Sequence, residues 1–228
     1  MRWSRYGVVL LLAIGACVSA PASRSRPIVA IDPGHPSETS SGAEVQNGIT
    51  EVHIAWEVAQ RVQALLRDRG YDVVLTKSSE RQLVTNRERA EIGNRSNAAL
   101  TVRLHCDASS DSGFALYHPD RQGTVEGRTG PAPDIMRLSR IAAESLHAGM
   151  APILTGHLKD GGVRGDSKTL VGSRQGALTG SIFSDVPVVL IEMVTLSNRH
   201  DADFIKSDEG QALMARAIVQ GIERALPR

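Results

Sequence analysis

The chain has two cysteines in 228 residues, Cys17 and Cys106, too few to form a disulfide framework. It also has no excess of charge: 26 Lys and Arg against 25 Asp and Glu give a formal net charge of +1. Nucleic-acid binders carry a clustered basic excess, so nucleic acid is not an expected partner. No internal repeat or low-complexity block is present, and 41% hydrophobic with 22% charged residues is ordinary globular composition. Disorder, collagen and coiled coil are thereby excluded. The N-terminal apolar stretch, Gly7 to Ala16, is ten residues long, well short of the ~20 that a membrane-crossing helix needs. At ~100–200 residues per domain, the length indicates one domain with a core of its own.

With Arg2 and Arg5 before it, the Gly7–Ala16 stretch reads as an export signal. The segment Ile14-Gly-Ala-Cys17 resembles the bacterial lipobox, in which the cysteine becomes the lipidated first residue of the mature chain. The competing reading is ordinary cleavage at a small-residue site such as Ala20-Pro-Ala22. The favoured division is a lipoprotein signal peptide over 1–16, a tether over 17–26 and a catalytic domain over 27–228. Losing residues 1–16 removes two arginines and no acid, leaving 24 basic against 25 acidic residues. The expected location is the periplasm or cell envelope, with a membrane anchor through Cys17 and a monomeric domain.

Beyond residue 26, apolar runs and helical periods alternate. Residues 27–32, 71–76, 100–104, 113–117 and 186–191 read as strands. Helices are expected over 50–70, 84–97, 134–149 and 208–225, the first with Thr50 as N-cap, Glu51 in its first turn and Gly70 as its stop. Residues 36–49, 119–133 and 155–181 read as loops or glycine-rich connections. This alternation predicts an α/β three-layer domain with a mixed, largely parallel twisted sheet flanked by helices, hydrolase-like in architecture.

In such sheets the site lies outside the carboxyl ends of the strands. Three strand ends carry conspicuous groups, His35, His105 and Glu192, and Glu51 opens the first helix. Two imidazoles and a carboxylate are the ingredients of a catalytic zinc site with one position left for water, and the remaining carboxylate could act as general base. No short metal motif links them, so spacing alone is a weak signal.

These residues lie in segments that resemble the zinc-dependent N-acetylmuramoyl-L-alanine amidases of the Amidase_3 type. IVAIDPGH (28–35) is similar to the family's opening strand and first histidine, and GITEVHIAWEVA (48–59) to its ligand glutamate at a helix start. The stretch 76–109 resembles its central block, ending in a strand with His105, and VPVVLIEMVTLSN (186–198) its closing strand with the catalytic glutamate. The resemblance spans residues 27–226. It implies one Zn²⁺ held by His35, Glu51 and His105, with Glu192 as catalytic base and acid. It also implies hydrolysis of the amide between the lactyl group of N-acetylmuramic acid and L-alanine, with peptidoglycan or muropeptides as substrate. Two departures bear on loop shape and substrate fit: Pro36 and Ser37 replace the usual glycines, and Val194-Thr195 replace the usual Gly-Phe. Some members carry a helical plug over the metal; the Gly/Pro-rich stretch 119–133 is not expected to form one.

Neighbouring residues have plainer readings beside the functional ones. Arg87 could bind a peptide carboxylate or pair on a helix surface; Asp107 could contact substrate or brace His105. Asp32 could accept a hydrogen bond from a ligand imidazole or support the turn at Pro33. Glu44 is the rival to Glu51. His53, Glu57, His118, His147, His157 and His200 are expected at the surface, and Cys106 is expected to pack, pointing away from His105. Two alternative functions stand beside the amidase: a zinc peptidase cutting within the stem peptide, and an inactive muropeptide-binding lipoprotein. Retention of competent residue types at all four site positions disfavours the inactive form.

Overall fold

The computed structural model describes Met1 and residues 26–227. The expected signal peptide beyond Met1, Cys17 and all but the last residue of the expected tether therefore lie outside the described residues. In chain order the elements are β1 (Ile28–Pro33), β2 (Val45–Gln46), β3 (Ile49–Thr50), α1 (Glu51–Asp68), β4 (Asp72–Leu75), α2 (Asn86–Arg95), β5 (Leu100–Asp107) and β6 (Phe114–His118). They continue with β7 (Gly123–Val125), β8 (Arg128–Gly130), α3 (Pro133–Leu154), β9 (Asp160–Gly165), α4 (Leu170–Gln175), α5 (Thr179–Ile182), β10 (Val188–Thr195), α6 (Arg199–Lys206) and α7 (Asp208–Ala225). No helix among the described residues is long and apolar enough to cross a membrane.

Six strands form one sheet in the order β4-β1-β5-β10-β6-β9. The pairs β4/β1, β1/β5, β5/β10 and β6/β9 are parallel, and only β10/β6 is antiparallel. This is the mixed, mostly parallel sheet expected. From β1 the chain passes through α1 to β4 on one side, then through α2 to β5 on the other. The carboxyl ends of β1 and β5 thus flank a topological switch point, where open α/β sheets place their ligands.

The two faces of the sheet differ in chemistry, and strand alternation is the cause. Val29, Ile31, Val102, Leu104, Cys106, Val189, Ile191 and Met193 face the principal apolar core, which they share with α1, α3 and α7. Alternate positions Asp32, Thr101, Arg103, His105 and Glu192 fall on the opposite face, which α2, α4 and α5 border. Helix α1 follows the expected register, with Ile54, Val58, Ala59, Val62 and Leu66 buried. Thr50 is its N-cap by backbone position, yet its side chain makes no capping hydrogen bond. Helix α2 begins in a capping box, in which Thr85 and Glu88 exchange side chain-to-backbone hydrogen bonds.

Several expectations needed correction. The stretch 155–181 contains the edge strand β9, a 3-10 turn over Asp166–Lys168, and α4 and α5. Glycines there obscured any alternation. Residues 123–130 form the hairpin β7/β8. Helix α3 runs five residues past its expected end, and α6 was not foreseen. His118 is buried at the end of β6 and hydrogen-bonds Pro119 O at 3.1 Å through Nδ1. His147 is half-buried, bonding Asp160 and stacking on Phe114. Glu57 is half-buried as well.

On the polar face a fully buried carboxylate, Asp32, organises four elements. Thr76 Oγ1 donates to it at 2.5 Å, Arg89 Nη1 at 2.5 Å and Arg103 Nε at 2.9 Å. Burial opposes its ionisation, but the two guanidinium charges and the Thr76 hydroxyl outweigh that and hold its carboxyl well below the usual carboxylate range. Asp32 therefore neither bonds a histidine nor merely supports a turn; it anchors two arginines. A depressed native pKa contributes stability above the unfolded value of ~4, which is lost as pH falls further. Asp32→Asn should cost about 3–5 kcal/mol at pH 7 by leaving buried guanidinium charge uncompensated. Its deficit against the wild type should shrink below pH ~4. Urea unfolding across that range checks this, and an unchanged midpoint at pH 7 would refute it.

Candidate metal centre

The switch point gathers His35, Glu51 and His105, the three described residues whose donor atoms lie within 4.8 Å of one another in a metal-compatible cluster. Each arrives by a different route. His35 follows β1 through Pro33-Gly34, and its own backbone is left-handed at φ +53°. Glu51 is the first residue of α1, where the helix dipole favours a carboxylate. His105 lies near the carboxyl end of β5, and parallel register sets it directly beside Glu192 on β10. Glu44, the rival carboxylate, is exposed in the preceding loop.

Glu51 bridges the imidazoles: Oε2 lies 3.1 Å from His35 Nε2, and Oε1 lies 2.9 Å from His105 Nδ1. Oε1 also accepts the backbone N–H of Cys106 at 3.1 Å. On the far side of the His35 ring, Nδ1 is 3.2 Å from Ser40 O, which fixes that nitrogen as a donor and leaves Nε2 facing the site.

Close approach of these rings depends on two glycines. A Cβ on Gly34 would meet the His105 ring at 2.6–2.9 Å. A Cβ on Gly42, whose φ is +63°, would meet His35 at 2.5–2.9 Å. Lys77 braces the same turn: its buried ammonium donates to the carbonyls of His35 and Glu80. Burial brings its pKa down to about 8.

Electrostatics separate the groups. Burial works against the Glu51 charge, but hydrogen bonds from His105 and His35 prevail and keep its carboxyl well below the usual range. His35 is shifted up, since Glu51 outweighs burial, whereas His105 is shifted down, because burial, with the Arg103 and His35 charges, outweighs Glu51. The buried Glu192 carboxyl is pushed well above the ordinary range, first by burial and then by Glu51 and Asp107, against a partial offset from Arg103. His105 Nε2 and Glu192 Oε2 are both buried without a hydrogen-bond partner. Two such atoms on neighbouring strands beside Glu51 fit a site built to hold a further group. Two imidazoles and a carboxylate suit zinc, with one coordination position left for water.

His35, His105 and Glu192 line an open cleft of about 200 Å³, together with Ser37, Thr39, Asn86, Arg103, Val171 and Leu178. Arg87 lies outside that lining. It is exposed, pairs with Glu91 at 2.8 Å and Glu126 at 3.5 Å, and covers the Phe183 ring. Asp107 accepts the backbone N–H groups of Ala108 and Ser109 and the Ser109 hydroxyl, so it shapes the turn after β5 and makes no hydrogen bond to His105. Cys106 is buried in the core, where burial raises its thiol pKa. His53 pairs with Glu80 at the surface. Arg89, Arg103 and Lys77 were not singled out from the sequence. The one available signal was Arg103, a charged residue two positions before His105 inside an apolar strand.

Residues 29–224 match the family model Amidase_3, N-acetylmuramoyl-L-alanine amidase. The chain is 30% identical over 216 residues to the Bacillus subtilis protein YqiI, an uncharacterized protein, across 94% of this chain and 92% of that one. It is 24% identical over 229 residues to the N-acetylmuramoyl-L-alanine amidase Rv3717 of Mycobacterium tuberculosis, across 92% and 90% of the two chains. Its fold is similar to that of the N-acetylmuramoyl-L-alanine amidase AmiC2 of Nostoc punctiforme, with a TM-score of 0.67, 25% identity and coverage of 90% and 99%.

Gly34→Ala tests the packing of the cluster. The added methyl must displace the His105 ring, so affinity for a divalent metal should fall about 10–100-fold while the fold persists. Competition titration with a chromogenic chelator measures this; unchanged zinc affinity would show that the Gly34 contact does not set the ring position.

Proposed function

The chain belongs to the Amidase_3 family of N-acetylmuramoyl-L-alanine amidases, and on that premise we propose that it is a zinc-dependent amidase. It hydrolyses the amide between N-acetylmuramic acid and L-alanine in peptidoglycan or its fragments. The observation that carries the zinc reading is the His35, Glu51 and His105 cluster beside the orphaned Glu192 carboxyl oxygen.

His35, Glu51 and His105 would hold the metal, and His35 is oriented for this by its hydrogen bond to Ser40 O. Zinc, when bound, supplies Lewis acidity toward the scissile carbonyl and lowers the pKa of water. Glu192 Oε2 takes the proton from the attacking water. The same carboxyl then delivers it to the departing alanine nitrogen, because an amine leaves poorly unless protonated. A raised carboxyl pKa suits both halves of this transfer, since the group then accepts and releases a proton nearer neutral pH. Its parallel and antiparallel neighbours, β5 and β6, set Glu192 beside His105 and Ala115.

The substrate lies outside the cytoplasm, which accords with an export signal over residues 1–16. Lipidation at Cys17 would keep the domain near its polymer.

Digestion of purified peptidoglycan followed by mass spectrometry tests the bond cut. Free stem peptides with an intact N-terminal L-alanine are expected; shortened stems still joined to sugar would identify a peptidase instead. Chelation should abolish activity, and zinc should restore it. Glu192→Gln should lower kcat by about 10²–10⁴-fold while zinc stays bound; substantial remaining turnover would remove Glu192 from the proton-transfer role.

A further inference from the structure

Arg103 has no part in the mechanism above, yet it lines the cleft with Glu192 and His105 and is 4% exposed. Of its five N–H groups, Nε donates to Asp32 Oδ2 and Nη2 to Asn86 Oδ1 at 2.6 Å. Nη1 makes no hydrogen bond among the described residues. Asp32 is shared with Arg89, so two buried guanidiniums divide one buried carboxylate. Asp166, which is buried, and Glu38 and Glu192 feel the Arg103 charge but make no hydrogen bond to it. A buried guanidinium with one nitrogen unpaired, lining an open cleft, can take a further acceptor, and a guanidinium fork suits a carboxylate.

Geometry says where that carboxylate would be on the substrate. Arg103 stands two residues before His105 on β5, and its neighbour Leu190 stands two residues before Glu192 on β10. Both strands run the same way, so the two positions form one step along the cleft, roughly 6.6 Å from the reacting centre. Glu192 must reach the leaving nitrogen, and the peptide continues from that nitrogen. An extended peptide spans roughly 7 Å from the scissile carbonyl to the carboxylate of the second residue. Val171, Leu178 and Leu190 supply apolar lining that a small side chain such as a methyl would meet on the way.

We propose that Arg103 is a specificity-determining residue that receives a free carboxylate on the second residue of the leaving peptide. A glutamate joined onward through its γ-carboxyl presents such a group. The proposal rests on the amidase reading for the position of the scissile bond.

The test uses two probes, N-acetylmuramoyl-L-alanyl-D-glutamate and its α-carboxamide, each with the γ-carboxyl blocked as the methylamide. The zinc-loaded wild type should cleave the acid with kcat/KM about 10–100-fold above that of the amide, the worth of one charge-assisted pair. In Arg103→Gln the two values should converge, and Arg103→Lys should restore part of the preference. The leaving peptide alone, L-alanyl-D-glutamate γ-methylamide, should bind the wild type more tightly than its α-carboxamide by NMR titration, and Arg103→Gln should remove that difference. Equal cleavage of both probes by the wild type would overturn the proposal, as would a preference that survives Arg103→Gln. Binding of N-acetylmuramic acid that depends on Arg103, without peptide binding that does, would move the carboxylate to the glycan side and also overturn it. If neither probe is cut at the lactyl amide, the amidase reading fails, and the peptide titration with wild-type protein still decides the role of Arg103.

Discussion

One buried carboxylate holds the polar half of this molecule together. Asp32 sits at the end of β1 with no exposure to solvent, and it draws in Thr76 from the segment after β4, Arg89 from α2 and Arg103 from β5. Arg89 then donates to the carbonyls of Val84, Pro33 and Pro36, and so fixes the chain on both sides of His35. A desolvated ion group of this kind is costly to bury and more costly to break, because removing the carboxylate leaves two buried guanidinium charges without it. The turn that carries the first imidazole is therefore positioned by an interaction some distance from any reacting atom.

Parallel register does the rest of the positioning. Because β5 and β10 run side by side in phase, Glu192 and His105 become neighbours on the same face, and Arg103 and Leu190 become neighbours one step behind them. The opposite face of the same strands is apolar and dry against α1, α3 and α7. A rigid core on one side and a charged network on the other allow a carboxylate, two imidazoles and a guanidinium to be held within one cleft. Burial then separates their protonation behaviour: Glu51, with two imidazole partners, stays ionised, while Glu192, with none, is driven toward its neutral form.

Much of this was legible in the chain. The strands ending in His35, His105 and Glu192 announced themselves as short apolar runs closed by a polar group, and α1 by its helical period between Thr50 and Gly70. What escaped notice had weak local signals. Strand β9 and the short helices α4 and α5 are glycine-rich, and β9 is held by pairing with β6 at the edge of the sheet. His118 and His147 gave no hint of burial, since their surroundings come from residues distant in sequence. Arg87 takes the surface pairing that was one of its two readings and Asp107 shapes a turn, while Arg89 and Arg103 occupy the interior.

The sequence by itself determined the alternation of strands and helices, the four residue types of the site and their placement at element ends, because these follow from local periodicity and turn chemistry. Only the tertiary structure decided which arginines are buried and that one buried carboxylate, Asp32, is shared between them. Those outcomes depend on strand register and desolvation. Both arise between residues dozens of positions apart, where no local pattern records them.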